Sequence, residues 1–277
     1  MAATVNGLWI QGKLSSLELL TITSYITNGF NFQLWTYEPE TINAPEKTIV
    51  SNANEIIPFE NVFSYHNKNI HGHGKGSYAG FSDIFRYKLL YEHGGIWSDM
   101  DITCLKPFEI KEDYFFRYHA HAGAVGNFMK CPLNSSVMQW CYEQAAEKVD
   151  EHNKDWMLPI QLLNEGIQRN QLSGFIHKIS NNDSFPEVAD LLSGDVQIPD
   201  EWLIIHWMNE EWRRFKLDKN FALPESTYYK LLDKYNIPFS SSGFFSQLKY
   251  KLKMNRLYYT LLSIYAIYKF KVFGKEA

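Results

Sequence analysis

Two carboxylates one residue apart, Asp99 and Asp101, stand directly after the apolar run Gly94-Gly95-Ile96-Trp97. So placed they can share one divalent cation. Oxygen ligands select Mg²⁺ or Mn²⁺, and phosphate oxygens of a ligand commonly complete the shell. An isolated Asp-x-Asp fits a solvated turn equally well. The frame separates the two readings, because open α/β sheets place their ligands at the carboxyl ends of buried strands. Earlier in the chain, Asp83 and Arg86 stand three apart, a spacing that puts both on one helix face. Trp9 stands in the first apolar run. Its flat face suits a nucleobase or a place in the core. His206 ends a late apolar run, where a neutral imidazole suits an ion or a hydrogen-bonded core site.

The elements that must carry these residues alternate. Leu8-Trp9-Ile10 predicts a buried strand. Helical spacing of Leu17, Leu20, Ile22, Tyr25 and Ile26 predicts a helix, capped at Ser15 or Ser16 and stopped by Asn28-Gly29. Phe32 to Tyr37 alternates like a strand, so the chain opens as an α/β layered fold. Residues 43–80, with four glycines and His66, His71 and His73, predict a mobile loop. Ser82 is the expected cap of a helix over Asp83–His93, ended by Gly94-Gly95. Strands are expected at Ile96–Ser98, Ile102–Leu105, Phe115–Tyr118, Ala122–Val125 and Trp202–Trp207. Helices are expected at Ser135–Val149 and Leu158–Gln168, the latter with Pro159 in its first turn.

The 277 residues suffice for one large core; 45% are apolar and 16% aromatic, as in globular proteins. A net charge of −4 lacks the basic excess of a nucleic-acid binder, so no nucleic-acid partner is expected. Cys104, Cys131 and Cys141 are odd in number and without Cys-x-x-Cys spacing. They predict buried free thiols in a reducing cytoplasm rather than disulfides or zinc ligands. No signal segment or uncharged spanning run is visible.

The stretch Phe81-Ser82-Asp83-Ile84-Phe85-Arg86-Tyr87, with Leu89-Leu90-Tyr91, Gly94-Gly95-Ile96, Ser98-Asp99-Met100-Asp101 and Leu105-Lys106-Pro107, resembles the signature of DXD-containing glycosyltransferases. That family includes bacterial capsule and lipopolysaccharide sugar transferases, fungal initiating mannosyltransferases and, distantly, the clostridial glucosylating toxins. Leu8 to Gly12, His206-Trp207 and Trp212 extend the resemblance over roughly residues 5–215. It implies a GT-A fold: a Rossmann-like mixed sheet flanked by helices, in a domain over 1–240. It implies a nucleoside-diphosphate hexose donor, in first place a UDP-sugar, with Mn²⁺ or Mg²⁺ and retention of configuration. The acceptor would be a glycan or lipid-linked glycan in surface polysaccharide synthesis. Asp99, Asp101 and His206 would serve the metal. Trp9, Asp83, Arg86 and Asp99 would bind the donor. Asp83, Arg86 and Gln161 would be catalytic, although Leu158 replaces the glycine that commonly precedes the proline of the Gln161 segment. Trp207, Asn209 and Trp212 would form a lid; His71 and His73 would be acceptor-side or inert.

A nucleotide-sugar hydrolase and a non-enzymatic sugar-binding module are the alternatives. A dehalogenase-type phosphatase would carry its acidic motif after the first strand, not after a helix and Gly-Gly. The segment 241–277 differs in character: seven basic residues and a single acid, Glu276, among many aromatic and aliphatic ones. It predicts a helical extension that lies on an anionic membrane surface at the inner face of the cytoplasmic membrane. Packing on the domain, or on a second copy in a homo-oligomer, is the alternative.

Overall fold

The computed structural model describes residues 2–273. Nine strands are described: β1 (Thr4–Trp9), β2 (Asn31–Thr36), β3 (Ile49–Asn52), β4 (Gly95–Ser98), β5 (Ile102–Cys104), β6 (Phe115–His119), β7 (Gly123–Cys131), β8 (Ile176–His177) and β9 (Ile204–His206). The helices around them are α1 (Ser16–Thr27), α2 (Ala79–His93), α3 (Ser136–Lys148), α4 (Leu158–Arg169), α5 (Phe185–Ser193), α6 (Asn209–Phe215), α7 (Thr227–Lys234), α8 (Phe244–Met254) and α9 (Arg256–Phe273).

Seven strands form one mixed sheet in the order β3-β2-β1-β4-β7-β6-β8. The four strands from β3 to β4 run parallel, β7 is antiparallel to β4, and β6 is antiparallel to β7. This is the mixed α/β architecture expected from the sequence. Strand alternation explains why both faces of the sheet are apolar. Leu8, Trp35, Trp97, Phe116 and Met129 pack with α2, α3 and α4. Val5, Phe32, Ile96, Phe115 and Phe128 pack on the other face, with Ile22 and Tyr25 of α1. A third cluster joins α1 to α5, α6, α7 and α8.

A two-stranded sheet of β5 and β9 lies next to the large one in sequence, with Ile102 paired to His206. That pairing decides the site. Asp99 and Asp101 occupy the link from β4 to β5, and the Trp207 N–H donates to the Asp101 carbonyl at 2.9 Å. The late residue His206 is thereby set beside the early motif. The three cysteines are buried free thiols, as expected.

Some boundaries differ from the sequence reading. Helix α2 starts at Ala79, not after Ser82, and Gly80 lets it lie against Tyr65, whose hydroxyl a Cβ there would overlap. Ser82 is inside the helix and its hydroxyl receives an Arg86 N–H at 3.2 Å. β3, β8, α5 and α7 lie in stretches where the sequence suggests no element. The C-terminal segment is two helices with a break at Asn255, and residues 274–277 lie outside the described ones.

Candidate active site

A cleft of about 660 Å³ opens at the carboxyl ends of β1 and β4, a volume suited to a small-molecule ligand. Trp9, Asp83, Arg86, Asp99, Asp101 and His206 all line it. Residues separated by almost 200 positions are brought together by β4, β9 and the N-terminal half of α2.

Arg86 is the hub of one side. Its guanidinium is 3.3 Å from Asp83 Oδ1 and 3.1 Å from Asp99 Oδ1, and it lies 5.2 Å from the centre of the Trp97 ring. The Trp97 indole N–H also donates to Asp99 Oδ1, at 2.8 Å. Gly126 is required on the far side, because a Cβ there would come within 2.9 Å of Arg86 Nη1. Burial pushes the Asp83 carboxyl up to about 6; Arg86 opposes the rise and Asp99 adds to it. Burial also raises Asp99, against the pull of Arg86, with Asp101 adding to the rise. Two carboxylates around one guanidinium leave an excess of negative charge facing the cleft.

A second chain of charges supports Asp101. Arg117, fully buried on β6, holds Asp183 through two bonds of 2.8 and 2.6 Å. Asp183 Oδ1 is 2.7 Å from His206 Nδ1, and His206 Nε2 is 3.3 Å from Asp101 Oδ2. Asn181 fixes the His206 backbone, accepting from its N–H at 2.8 Å and donating to its carbonyl at 2.9 Å. The Asn209 N–H donates to Asp101 Oδ2 at 2.6 Å. Burial disfavours a charged His206, but the flanking Asp183 and Asp101 carboxylates outweigh it and push the imidazole up to about 10. Burial likewise works against Asp101, and His206 with the Asn209 N–H carries it below the usual carboxylate range.

The bulge where β6 meets β7, at Phe116/Arg117, links the two sides. Asn127 of β7 accepts an Arg117 N–H at 3.4 Å, while its backbone carbonyl receives the Asp99 N–H at 2.8 Å.

Among the described residues, no three His, Cys, Asp or Glu side chains are grouped as a metal cage. The donors present fit a hard cation that takes only part of its shell from protein. Asp99 and Asp101 offer carboxylate oxygens, and the Asn209 side-chain oxygen is buried at the cleft without a hydrogen-bond partner. His206, oriented at Nδ1 by a carboxylate, has the arrangement that metal-binding histidines adopt.

Other expectations divide. Trp9 lines the cleft at the end of β1, with its indole N–H bound to the Gly12 carbonyl at 2.8 Å. Gln161 is exposed on α4 and is not among the cleft's lining residues. Leu162, Leu163, Gly166 and Ile167 set the inward face of that helix, and Asn164 turns in to bind both backbone groups of Ala124. Trp207 and Trp212 are core residues packed around Tyr228, not a lid. His73 lines the cleft and pairs with Glu211 at 2.9 Å, and Gly74 and Lys75 bind Glu210 and Arg213, so the glycine-rich loop is strapped to α6. Asp183 and Arg117 have no signature in sequence. The one available hint was a charged residue inside the apolar strand Phe115-Phe116-Arg117-Tyr118, which demands a buried partner.

Residues 26–116 match the family model described as "Glycosyltransferase sugar-binding region containing DXD motif". The matched segment contains Asp83, Arg86, Asp99 and Asp101, which bears out the resemblance drawn from sequence. That segment is the sugar-binding region of a glycosyltransferase. Domains with this DXD region generally bind a divalent metal and a nucleotide sugar. Among solved structures the chain is similar to one titled "PaToxG Glycosyltransferase", at 12% identity and a TM-score of 0.43, covering 94% of this chain and 85% of that one. No curated protein matches the chain.

Proposed function

We propose that the chain transfers a hexose from a nucleoside-diphosphate sugar, in first place a UDP-sugar, with retention, to a glycan or lipid-linked glycan of a surface polysaccharide. Residues 1–240 form the catalytic unit and 241–277 an extension that works at the inner face of the cytoplasmic membrane. The observation that carries this reading is the convergence of two charge chains, Asp83–Arg86–Asp99 and Arg117–Asp183–His206–Asp101, on one cleft.

Asp99 and Asp101 would hold Mn²⁺ or Mg²⁺ with the Asn209 side-chain oxygen beside them, and His206 would join through Nε2 after giving up the proton it shares with Asp101. The cation, when bound, offsets the negative charge that grows on the departing diphosphate. The protein's residues do the rest. Arg86, buried and already between two carboxylates, presents a fixed positive charge to donor phosphate oxygens. Asp83 accepts from donor sugar hydroxyls. Trp9 offers a ring face to the base. Asp183 and Arg117 hold His206, and the Asn209 N–H holds Asp101.

Thermal denaturation with Mn²⁺ and a panel of nucleotides and nucleotide sugars tests the binding part. A ligand at about a hundredfold its Kd should stabilise the protein by about 2.7 kcal/mol. Stabilisation by a uridine diphosphate that needs Mn²⁺ is the expected result. Indifference to every nucleotide, with or without metal, would contradict it.

A further inference from the structure

The C-terminal helices present two faces with different fates. Tyr250 and Met254, one turn apart on α8, are buried in the third core cluster, and the Tyr250 ring lies 5.2 Å from that of Phe221. Leu262 of α9 packs partly into the same cluster, and the Ser263 hydroxyl receives an Arg214 N–H at 3.0 Å. These contacts dock the pair on the domain. On α8 they leave Phe244, Phe245, Leu248 and Leu252 exposed, the first two at 73% and 82%. On α9 they leave Leu261, Ile264, Tyr265 and Tyr268 exposed, each by more than half, at helical spacing that makes one stripe. So large a set of exposed apolar side chains marks an interaction surface.

The charge around the two stripes says what covers them. Lys249 and Lys251 follow on α8, Lys269 and Lys271 on α9, and the segment 244–273 holds no acidic residue, while Lys253 is held on the domain by the Lys216 carbonyl. We propose that this surface seats the protein on an anionic lipid bilayer, with the aromatic and aliphatic side chains in the headgroup region and the lysines among the lipid phosphates. No helix among the described residues is long and apolar enough to cross a membrane, so the pair lies on the surface. The seat is tied to the cleft. Arg214, which holds Ser263, belongs to α6, and the first residue of α6, Asn209, donates to Asp101. The inference gives a surface to the lipid-linked acceptor of the proposed function, but the binding it describes needs no transfer chemistry.

The test is co-sedimentation of the full chain with vesicles of phosphatidylcholine alone and of phosphatidylcholine mixed with phosphatidylglycerol, at low and physiological salt. Two double variants are compared with wild type: Phe244→Ser with Phe245→Ser, and Leu261→Glu with Ile264→Glu. All four positions are exposed, so the fold should persist. The wild type should pellet with the anionic vesicles, less so as salt rises, and each double variant should bind them about tenfold more weakly or worse. Wild type that ignores anionic vesicles, or variants that bind as wild type does, would overturn the proposal. So would light scattering that shows a dimer broken by both variants and undisturbed by vesicles, since a second copy would then own the surface. Mn²⁺-dependent stabilisation by nucleotide, measured on the same samples, keeps the two readings apart. Vesicle binding without it would sink the transferase reading alone; its presence without vesicle binding would sink only the membrane seat.

Discussion

At the scale of single residues, the site depends on the charged pair Arg117–Asp183, of which only Asp183 reaches the cleft. Arg117 has no solvent exposure and both its ends are spoken for by Asp183, Ser180 and Asn181. Removing one partner of a buried ion pair leaves the other uncompensated, at a cost of about 3–5 kcal/mol. Arg117→Met is therefore expected to lose that much stability in denaturant unfolding. Asp183→Asn keeps the shape but weakens the hold on His206 Nδ1. Losing such an outer partner typically costs about 10–100-fold in metal affinity. A Mn²⁺ titration by calorimetry checks this, and an unchanged affinity would detach His206 from the metal. Asp99 and Asp101 were legible in sequence because they sit beside a signature of glycines and apolar residues. Asp183 was not, because Asn181-Asn182-Asp183 lies in a polar stretch with no period and its meaning comes only from the fold.

At the scale of elements, the strand–turn junctions set the geometry. Gly94 ends α2 at φ 63°, in the left-handed region, and a Cβ there would lie 2.5 Å from the Leu133 backbone nitrogen. Gly94→Ala combines left-handed strain with overlap against backbone, and about 2 kcal/mol or more should be lost on thermal unfolding. An alanine variant as stable as wild type would show that the α2–β4 turn is not the fixed point described here. This stop was readable, as were α1, α2, α3, α4 and the strands β1, β2 and β4, whose apolar spacing is long or framed by turn residues. The short strands β5 and β9 fell within expected runs, but four other short elements were not readable. β3 and β8 are four and two residues long, α5 and α7 nine and eight, and all four owe their form to the surfaces they cover rather than to their own periodicity. The expected lid at Trp207 and Trp212 failed for a related reason. Aromatic residues after a strand look alike in sequence whether they face a ligand or, as here, Tyr228.

At the scale of the whole molecule, one connection makes the enzyme. The acidic motif leaves the seven-stranded sheet at β4 and enters the small sheet at β5, whose partner β9 returns His206 and delivers α6 with Asn209. The cleft therefore draws on residues from Leu8 to Lys219. The central claim is that its two motif carboxylates act through a metal on a nucleotide sugar. The direct measurement is release of nucleoside diphosphate from a panel of nucleotide sugars, with Mn²⁺ or with EDTA, by the wild type and by Asp101→Asn. Asp101→Asn can keep the Asn209 N–H bond and leaves Asp183 facing His206, so the variant should fold, with some loss of stability from the broken Asp101–His206 pair. Loss of a charged metal ligand should nevertheless slow release by about 10³-fold, roughly 4 kcal/mol of transition-state stabilisation. The account predicts Mn²⁺-dependent release by the wild type, abolished by EDTA and by the substitution. Turnover that survives EDTA, or an Asp101→Asn enzyme that works near the wild-type rate, would contradict it.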